Sequence, residues 1–389
     1  MKIGLLSVLI LFTCTLTAWP AVVASSPGSS GMAAFKRQDF DAAIQYFTLA
    51  IDQNTNYVGA YYFRALSYLQ KRDYDHAISD FSHAIILNTN NPDAYYFRGM
   101  CNMNEGKYDA SIADLNQALQ IKTNTTVLLL RAYVYMEMTN YNKSIEDYNK
   151  VVQMKPSNAV GYIGRAHVFN LQGVYGLAIM DCDAAIVSNP YSANAYRERA
   201  DAYEGEHDLD DAIGDYDRAI QLDPSDPTTC LARGMVFAEK EDFTNAIASC
   251  SAAIAIFPGY SEAYCNRGYY QSRIGNYRAG IADCQKALVM DTNSVWAYNN
   301  LAWLLAIVPD AKLRDGKKAV QYAKKACEMT QWKEPTFVDT LAAAYAETGH
   351  YRKAAKLEKS VIGIMPPEDR DEAQRALTLY QHHKPFREQ

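Results

Sequence analysis

The sequence predicts an all-α fold, an α-solenoid in which stacked helix-turn-helix repeats form a superhelix with a capping C-terminal helix. Two observations predict it. Small, aromatic and proline positions recur along the chain at a constant period. An arginine followed by alanine or glycine recurs at the same period, in steps of 33 or 34 residues, at Arg64, Arg98, Arg131, Arg165, Arg199, Arg233 and Arg267. A fixed period in this range indicates one supersecondary unit that is copied and stacked.

Each unit has the residue pattern of two helices joined by a turn. Apolar residues recur at three- and four-residue spacing, which is typical of amphipathic helices. A small residue twelve positions after each arginine lets two helix backbones approach closely. These small residues are Ala77, Ser111, Ser144, Ala178, Ala212, Ala246 and Gly280. Several units close with a proline, which cannot continue the helix before it. These prolines are Pro156, Pro190, Pro224 and Pro258.

This pattern resembles the tetratricopeptide repeat family, and the closing repeats resemble those of exported bacterial members. The unit near 92–124 carries most of the motif, in the runs that begin at Tyr95 and at Gly106. The resemblance implies that the first helix of each unit lines a concave surface. It also implies that this surface binds other proteins.

The chain divides into six predicted segments, in which the repeats carry the fold. Residues 1–24 read as a signal peptide, 25–31 as a flexible leader and 32–57 as a partial first repeat. Seven repeats then occupy 58–294. Residues 295–366 form two divergent repeats, the first with an insertion at Pro309–Gly316, and 367–389 form a capping helix and tail. Terminal repeats are expected to diverge because one of their sides faces water.

The N-terminus predicts export. Lys2 precedes the apolar run from Ile3 to Phe12, and Ala24 ends a small-residue cleavage site. This order is typical of a secretory signal, so we expect a periplasmic or extracellular protein without membrane contact after cleavage. The alternative is an uncleaved membrane anchor, although Pro20 interrupts the apolar run early.

Charge and motifs argue against several classes of function. The net charge of -6 disfavours a nucleic-acid partner. The sequence has no phosphate-binding glycine loop, no nucleophile motif and no metal-binding His or Cys spacing, so we expect no catalysis, cofactor or metal. The cysteines at equivalent repeat positions indicate buried thiols. The one disulfide open to test joins Cys250 and Cys265.

The arginine series has a matching aspartate series sixteen residues later. The predicted structural ion pairs are Arg64 with Asp80, Arg98 with Asp114, Arg131 with Asp147, Arg165 with Asp181, Arg199 with Asp215, and Arg267 with Asp283. Such pairs would set the register of the two helices. The alternative is a row of arginines that binds an anionic ligand. Ser249 replaces the aspartate of Arg233, so we expect Arg233 to be the freest of the seven.

A stripe of aromatic and methionine residues on the first helices is the candidate ligand groove. It comprises Tyr62, Leu66, Leu69, Tyr96, Met100, Met103, Leu129, Tyr133, Met136 and His167. Accessible methionine and aromatic side chains suit adaptable protein contacts. The same register continues through Arg197, Asp201, Glu204, Met235 and Tyr269. The alternative is that the stripe packs internally.

These observations favour a non-enzymatic interaction scaffold that holds a peptide or helix of a partner protein in its groove. Two alternatives remain open at this point. The chain could be an accessory or regulatory subunit of a cell-envelope enzyme assembly. It could also be a structural array that associates with itself through its ends.

Overall fold

The computed structural model describes residues 26–387, and the described part of the chain is all helical, as predicted. It divides into two compact bodies at Pro156. The first body contains α1 (Pro27–Lys36), α2 (Phe40–Gln53), α3 (Val58–Gln70), α4 (Tyr74–Leu87), α5 (Pro92–Asn104), α6 (Tyr108–Ile121), α7 (Thr125–Glu137) and α8 (Tyr141–Met154).

The second body continues the same alternation of helices. It contains α9 (Ala159–Leu171), α10 (Tyr175–Ser188), α11 (Ala193–Gly205), α12 (Leu209–Leu222), α13 (Pro227–Glu239), α14 (Phe243–Ile256), α15 (Ser261–Arg273), α16 (Tyr277–Met290), α17 (Val295–Ile307), α18 (Gly316–Met329), α19 (Pro335–Glu347), α20 (Tyr351–Val361) and α21 (Arg370–Gln381). Within residues 26–387, no helix combines the length and the apolar character that a membrane span requires.

Helices pack as consecutive pairs, and each pair packs on the next within its body. The first helix of a pair contacts the second, which contacts the first helix of the following pair. Several first helices also touch one another directly, as α3 does with α5 and α17 does with α19. The small residues of the motif, such as Ala65 and Ala77, are fully buried. They lie where the helix backbones come closest. The predicted helix-pair solenoid is therefore confirmed.

The turn inside most pairs contains one residue in the left-handed region. Glycine occupies it in four turns, at Gly106, Gly173, Gly275 and Gly349. Five other turns use Gln38, Arg72, Thr139, His207 and Glu241, with φ between 57° and 62°. A left-handed residue lets the chain reverse directly after the first helix, and a side chain there carries a steric cost.

The prediction of a flexible leader at 25–31 is wrong from Pro27 onward. Ser26 caps α1 through its side chain, and Pro27 occupies the first helical position, where a missing N–H costs nothing. The two glycines of the leader are packing sites. Gly28 lies against the ring of Tyr57, and Gly31 lies so close to the ring of Phe47 that an added Cβ would sit at 2.8 Å from it. The signal peptide predicted at 1–24 lies outside the described residues.

The C-terminal end is held by packing and by one arginine. The insertion loop between α17 and α18 contains Arg314, whose Nη1 donates to the carbonyl oxygens of Val308 and Pro309 at 2.8 Å each. Its Nε donates to Glu347 of α19 at 3.0 Å. The capping helix α21 packs on α20. The divergent repeats thus keep the helix-pair geometry despite the insertion.

Candidate functional site

The structure brings the predicted arginines and aspartates together. Nε and Nη2 of Arg64 donate to the two carboxylate oxygens of Asp80 at 2.7 and 2.8 Å. The same two-bond arrangement joins Arg98 to Asp114, Arg131 to Asp147, Arg165 to Asp181, Arg199 to Asp215, and Arg267 to Asp283. The hydrogen bond with Asp80 raises the pKa of Arg64 above its ordinary value. Guanidinium groups held in this way are not presented to an anionic ligand.

Most of these arginines also contact the preceding repeat, which the sequence analysis did not anticipate. Nη1 of Arg64 donates to the hydroxyl of Thr48, which lies on α2, at 2.9 Å. Equivalent partners are Ser82 for Arg98, Asn116 for Arg131, Asp183 for Arg199, Asp217 for Arg233, and Ser251 for Arg267. One guanidinium therefore joins three helices from two repeats. The sequence signal was the polar residue fifteen or sixteen positions before each arginine.

Arg233 is held differently from the other six arginines, although it is not the most exposed of the series. Its Nε donates to Ser249 at 3.2 Å, and its Nη1 pairs with Asp217. The Arg233 side chain is 20% exposed, within the range of the other arginines of the series. Asp217 occupies the same preceding-repeat position as Asp183 does for Arg199, so the two-bond contact with an aspartate of its own repeat is the one that Ser249 changes for Arg233.

The predicted ligand groove is largely internal packing. Six of its ten residues are buried: Tyr62, Leu66, Tyr96, Met100, Met103 and Met136. The other four, Leu69, Leu129, Tyr133 and His167, are half-buried. The physical reason is that α5 contacts both α3 and α7. The side chains of the predicted stripe therefore lie between neighbouring first helices. The prediction of an open groove between Tyr62 and Met136 is therefore wrong.

The same repeat positions become accessible in the second body, on α11, α13 and α15. Met235 and Tyr269 are 38% and 39% exposed, whereas their counterparts Leu66 and Met100 are buried. Asp201 occupies the equivalent position on α11, and its side chain is 32% exposed. We call the surface made by Arg197, Asp201, Glu204, Met235, Tyr269 and Arg273 the α11–α15 face. It is the accessible continuation of the predicted stripe.

A hydrogen-bonded charge network underlies the α11 end of this face. Glu198 is fully buried and accepts from Arg197 at 2.6 Å, while Nδ1 of His167 lies 2.9 Å from its other oxygen. Burial raises the pKa of Glu198, but the effect of His167 and Arg197 is larger and opposite, so the pKa of Glu198 lies below its ordinary value. Burial lowers the pKa of His167, but the hydrogen bond and the charge of Glu198 raise it by more, so the pKa of His167 lies above its ordinary value. Glu198 therefore remains an anion that fixes the positions of Arg197 and His167.

Asp201 and Glu204 are held less favourably. The hydroxyl of Tyr216 lies 2.6 Å from Asp201 and 2.9 Å from Glu204. One hydroxyl has a single proton to donate, so a second proton is needed for both contacts to be hydrogen bonds. Burial, with Glu198 nearby, raises the pKa of Asp201 to about 6. Burial raises the pKa of Glu204 too, with a further contribution from Glu239. Nη1 of Arg197 lies 3.5 Å from Asp201 and partly offsets this charge.

The other end of the face is aromatic. Nη1 of Arg273 donates to the hydroxyl of Tyr269 at 3.0 Å, and its guanidinium carbon lies 4.8 Å from the ring centre of Phe243. The arginine thus lies within cation–π distance of two aromatic rings. The α11–α15 face thus runs from half-buried carboxylates to exposed apolar side chains.

The seven cysteines within residues 26–387 are buried free thiols, Cys250 and Cys265 among them. Burial raises the pKa of both thiols to about 12, which keeps them protonated and unreactive at neutral pH. In the part of the chain that the structure describes, no group of three or more His, Cys, Asp or Glu residues is placed to hold a metal ion.

Comparison with known proteins identifies the family. Two family models described as tetratricopeptide repeat match the chain, one over residues 29–92, 62–124, 164–227 and 197–261, the other over 125–158 and 261–293. No curated protein matches it.

Solved structures show the same fold. A tetratricopeptide repeat protein from Parabacteroides merdae has 20% identity and a TM-score of 0.52, over 63% of this chain and 97% of its own. The C-terminal part of a repeat protein from Cytophaga hutchinsonii has 19% identity and a TM-score of 0.47, over 61% and 98%. The Cut9-Hcn1 assembly has 12% identity and a TM-score of 0.48, over 92% and 91%. The family matches span most of the chain, and it belongs to the tetratricopeptide repeat family.

Proposed function

We propose that this protein is a non-enzymatic scaffold that binds a peptide or helix of a partner protein on the α11–α15 face. The observation that carries the proposal is the exposure of Met235 and Tyr269 at a repeat position that is buried on α3 and α5. Exposed apolar side chains at the same position of successive repeats form a row. A row of this kind suits a partner segment that lies across the first helices.

The charges of the face indicate the chemistry of the partner. Asp201 and Glu204 share one hydroxyl donor, and Glu239 adds a third carboxylate nearby. A lysine or arginine of the partner would pair with these carboxylates. Apolar residues next to it would cover Met235 and Tyr269. We therefore expect a segment with a basic residue followed by apolar residues.

The experiment is partner capture with residues 25–389, tagged ahead of Ser25, followed by affinity measurement. Met235→Lys and Tyr269→Glu should each weaken binding of the captured partner at least about tenfold, which corresponds to about 1.4 kcal/mol. Met180→Lys is the matched control, because Met180 is 66% exposed on α10, a second helix. Equal affinity of the wild type, Met235→Lys and Tyr269→Glu would refute this site.

Export is part of the same proposal and has its own test. A protein carried across a membrane would lose residues 1–24, and N-terminal sequencing of the protein from its native source should then begin at Ser25. A mature chain that begins at Met1 would refute cleavage.

A further inference from the structure

The C-terminal tail returns to the body after α21. His383 adopts φ 59°, and the Lys384 amide donates to the carbonyl of Leu379 at 2.9 Å. The His383 ring stacks on Tyr351 with ring centres 5.4 Å apart. This reversal directs the following residues, Pro385 to Arg387, toward α17 and α19.

Two tail side chains make specific contacts there. The Phe386 ring centre lies 5.8 Å from that of Trp303 on α17, and the ring packs against the apolar cluster of α17. Nη1 of Arg387 donates to the carbonyl oxygen of Ala306 at 3.2 Å, and its Nη2 pairs with Glu347 on α19. An aromatic ring and a cation are thus bound side by side.

Several contacts of the receiving surface are made by the helical body itself. Glu347 is held by Arg314 at 3.0 Å and is 15% exposed. The Ala306 carbonyl belongs to the last turn of α17, where the helix dipole favours a cation. Trp303 stands at the same repeat position as Met235 and Tyr269. The tail therefore occupies a site on the row of first-helix positions to which a partner would bind.

The tail is attached to the body by few contacts, which favours its dissociation. Three tail side chains make contacts: the exposed His383 stacks on Tyr351, and Phe386 and Arg387 remain half-buried. His382 and Lys384 are exposed, so the connection to α21 is solvated. A short tether supplies its ligand at a high effective concentration without requiring high intrinsic affinity.

We propose that the tail is a tethered ligand and that Trp303, Ala306 and Glu347 form a binding site for an aromatic–basic pair. A partner segment with the same chemistry binds only when the tail leaves. The contacts of Phe386 and Arg387 carry this inference, and it stands independently of the α11–α15 face.

The test uses a fluorescent peptide with the sequence of residues 382–389 and the full chain. Wild type should bind the peptide weakly, because its own tail competes. The double variant Phe386→Ala/Arg387→Ala should bind at least about tenfold more tightly, since a tether of this length competes at roughly millimolar concentration. Adding Glu347→Gln to the double variant should remove most of that gain. A peptide with alanine at both positions is the control ligand.

Three results would overturn the proposal. Equal peptide affinity of wild type and double variant would mean that the tail does not occupy the site. Unchanged affinity after Glu347→Gln would mean that the peptide binds elsewhere. A wild-type dimer that dissociates on loss of Phe386 and Arg387 would mean that tails exchange between copies. Arg387→Gln keeps the apolar contact, so it tests the same competition if the double variant folds poorly, with an expected gain of about threefold.

Discussion

Removing Asp147 should destabilise the first body strongly. Asp147 is 2% exposed and accepts two hydrogen bonds from Arg131, both at 2.7 Å. Asp147→Ala leaves a guanidinium that is 16% exposed with Asn116 as its remaining partner. Loss of one member of a buried pair costs about 3–5 kcal/mol. Because Arg131 retains some solvent access and one partner, we expect about 2–3 kcal/mol.

The assay is urea unfolding followed by far-UV circular dichroism, with hydrogen exchange of the α7 and α8 amides. Repeat arrays unfold in part repeat by repeat, so local exchange reports the loss where it occurs. The double variant Arg131→Met/Asp147→Leu should recover most of the stability, because no unpaired charge remains. Glu146→Ala is the matched control, since Glu146 is exposed. A cost for Asp147→Ala as small as that of the control would refute the reasoning.

Three further predictions concern single residues. Burial raises the pKa of Asp201 to about 6. Protonation of Asp201 therefore contributes stability that is complete below its unfolded pKa near 4 and is lost as the pH rises through 6. Between pH 4 and 7 the melting temperature of Asp201→Asn should fall less steeply than that of the wild type, and parallel curves would contradict this. Burial beside Asp339 raises the pKa of Glu358 to about 10, so Glu358 is neutral at pH 7. Glu358→Gln should then cost under about 1 kcal/mol at pH 7 in urea titrations, whereas a loss of several kcal/mol would indicate an ionised carboxylate. Glu241→Gly should raise the free energy of unfolding by about 0.5–1 kcal/mol, because glycine adopts the φ of 59° found at Glu241 without steric cost. Glu146→Gly, within a helix, should instead lower the free energy of unfolding. A lower free energy of unfolding for Glu241→Gly as well would show that Glu241 is not strained.

The helix pairs could be predicted from the sequence because their determinants are local and repeated. The positions of Ala65 and Ala77 need a small residue because two helices touch there, so a small residue recurs at both positions in successive units. The aspartate partner of Arg64 could be found for the same reason, since Asp80 lies in the same unit at a constant offset. The pairing of Arg233 with Asp217 was missed because it crosses to another unit.

Two glycines show how composition alone misled the prediction at the N-terminus. The run from Ser25 to Gly31 has the composition of a linker. In the structure, Gly28 and Gly31 are small because the rings of Tyr57 and Phe47 lie against them. Phe47 lies on α2 and Tyr57 precedes α3, so the reason for each glycine is tertiary.

By itself the sequence determined the repeat, its helix pairs and the arginine–aspartate pairs, because period and offset are properties of the chain. Tertiary structure decided which first-helix positions are accessible. Met100 is buried and Met235 is exposed at one and the same repeat position, since exposure depends on how closely neighbouring first helices approach. It also decided that Phe386 and Arg387 lie on α17 and α19. These contacts join residues about 80 positions apart and occur once, so no periodic pattern in the sequence predicts them.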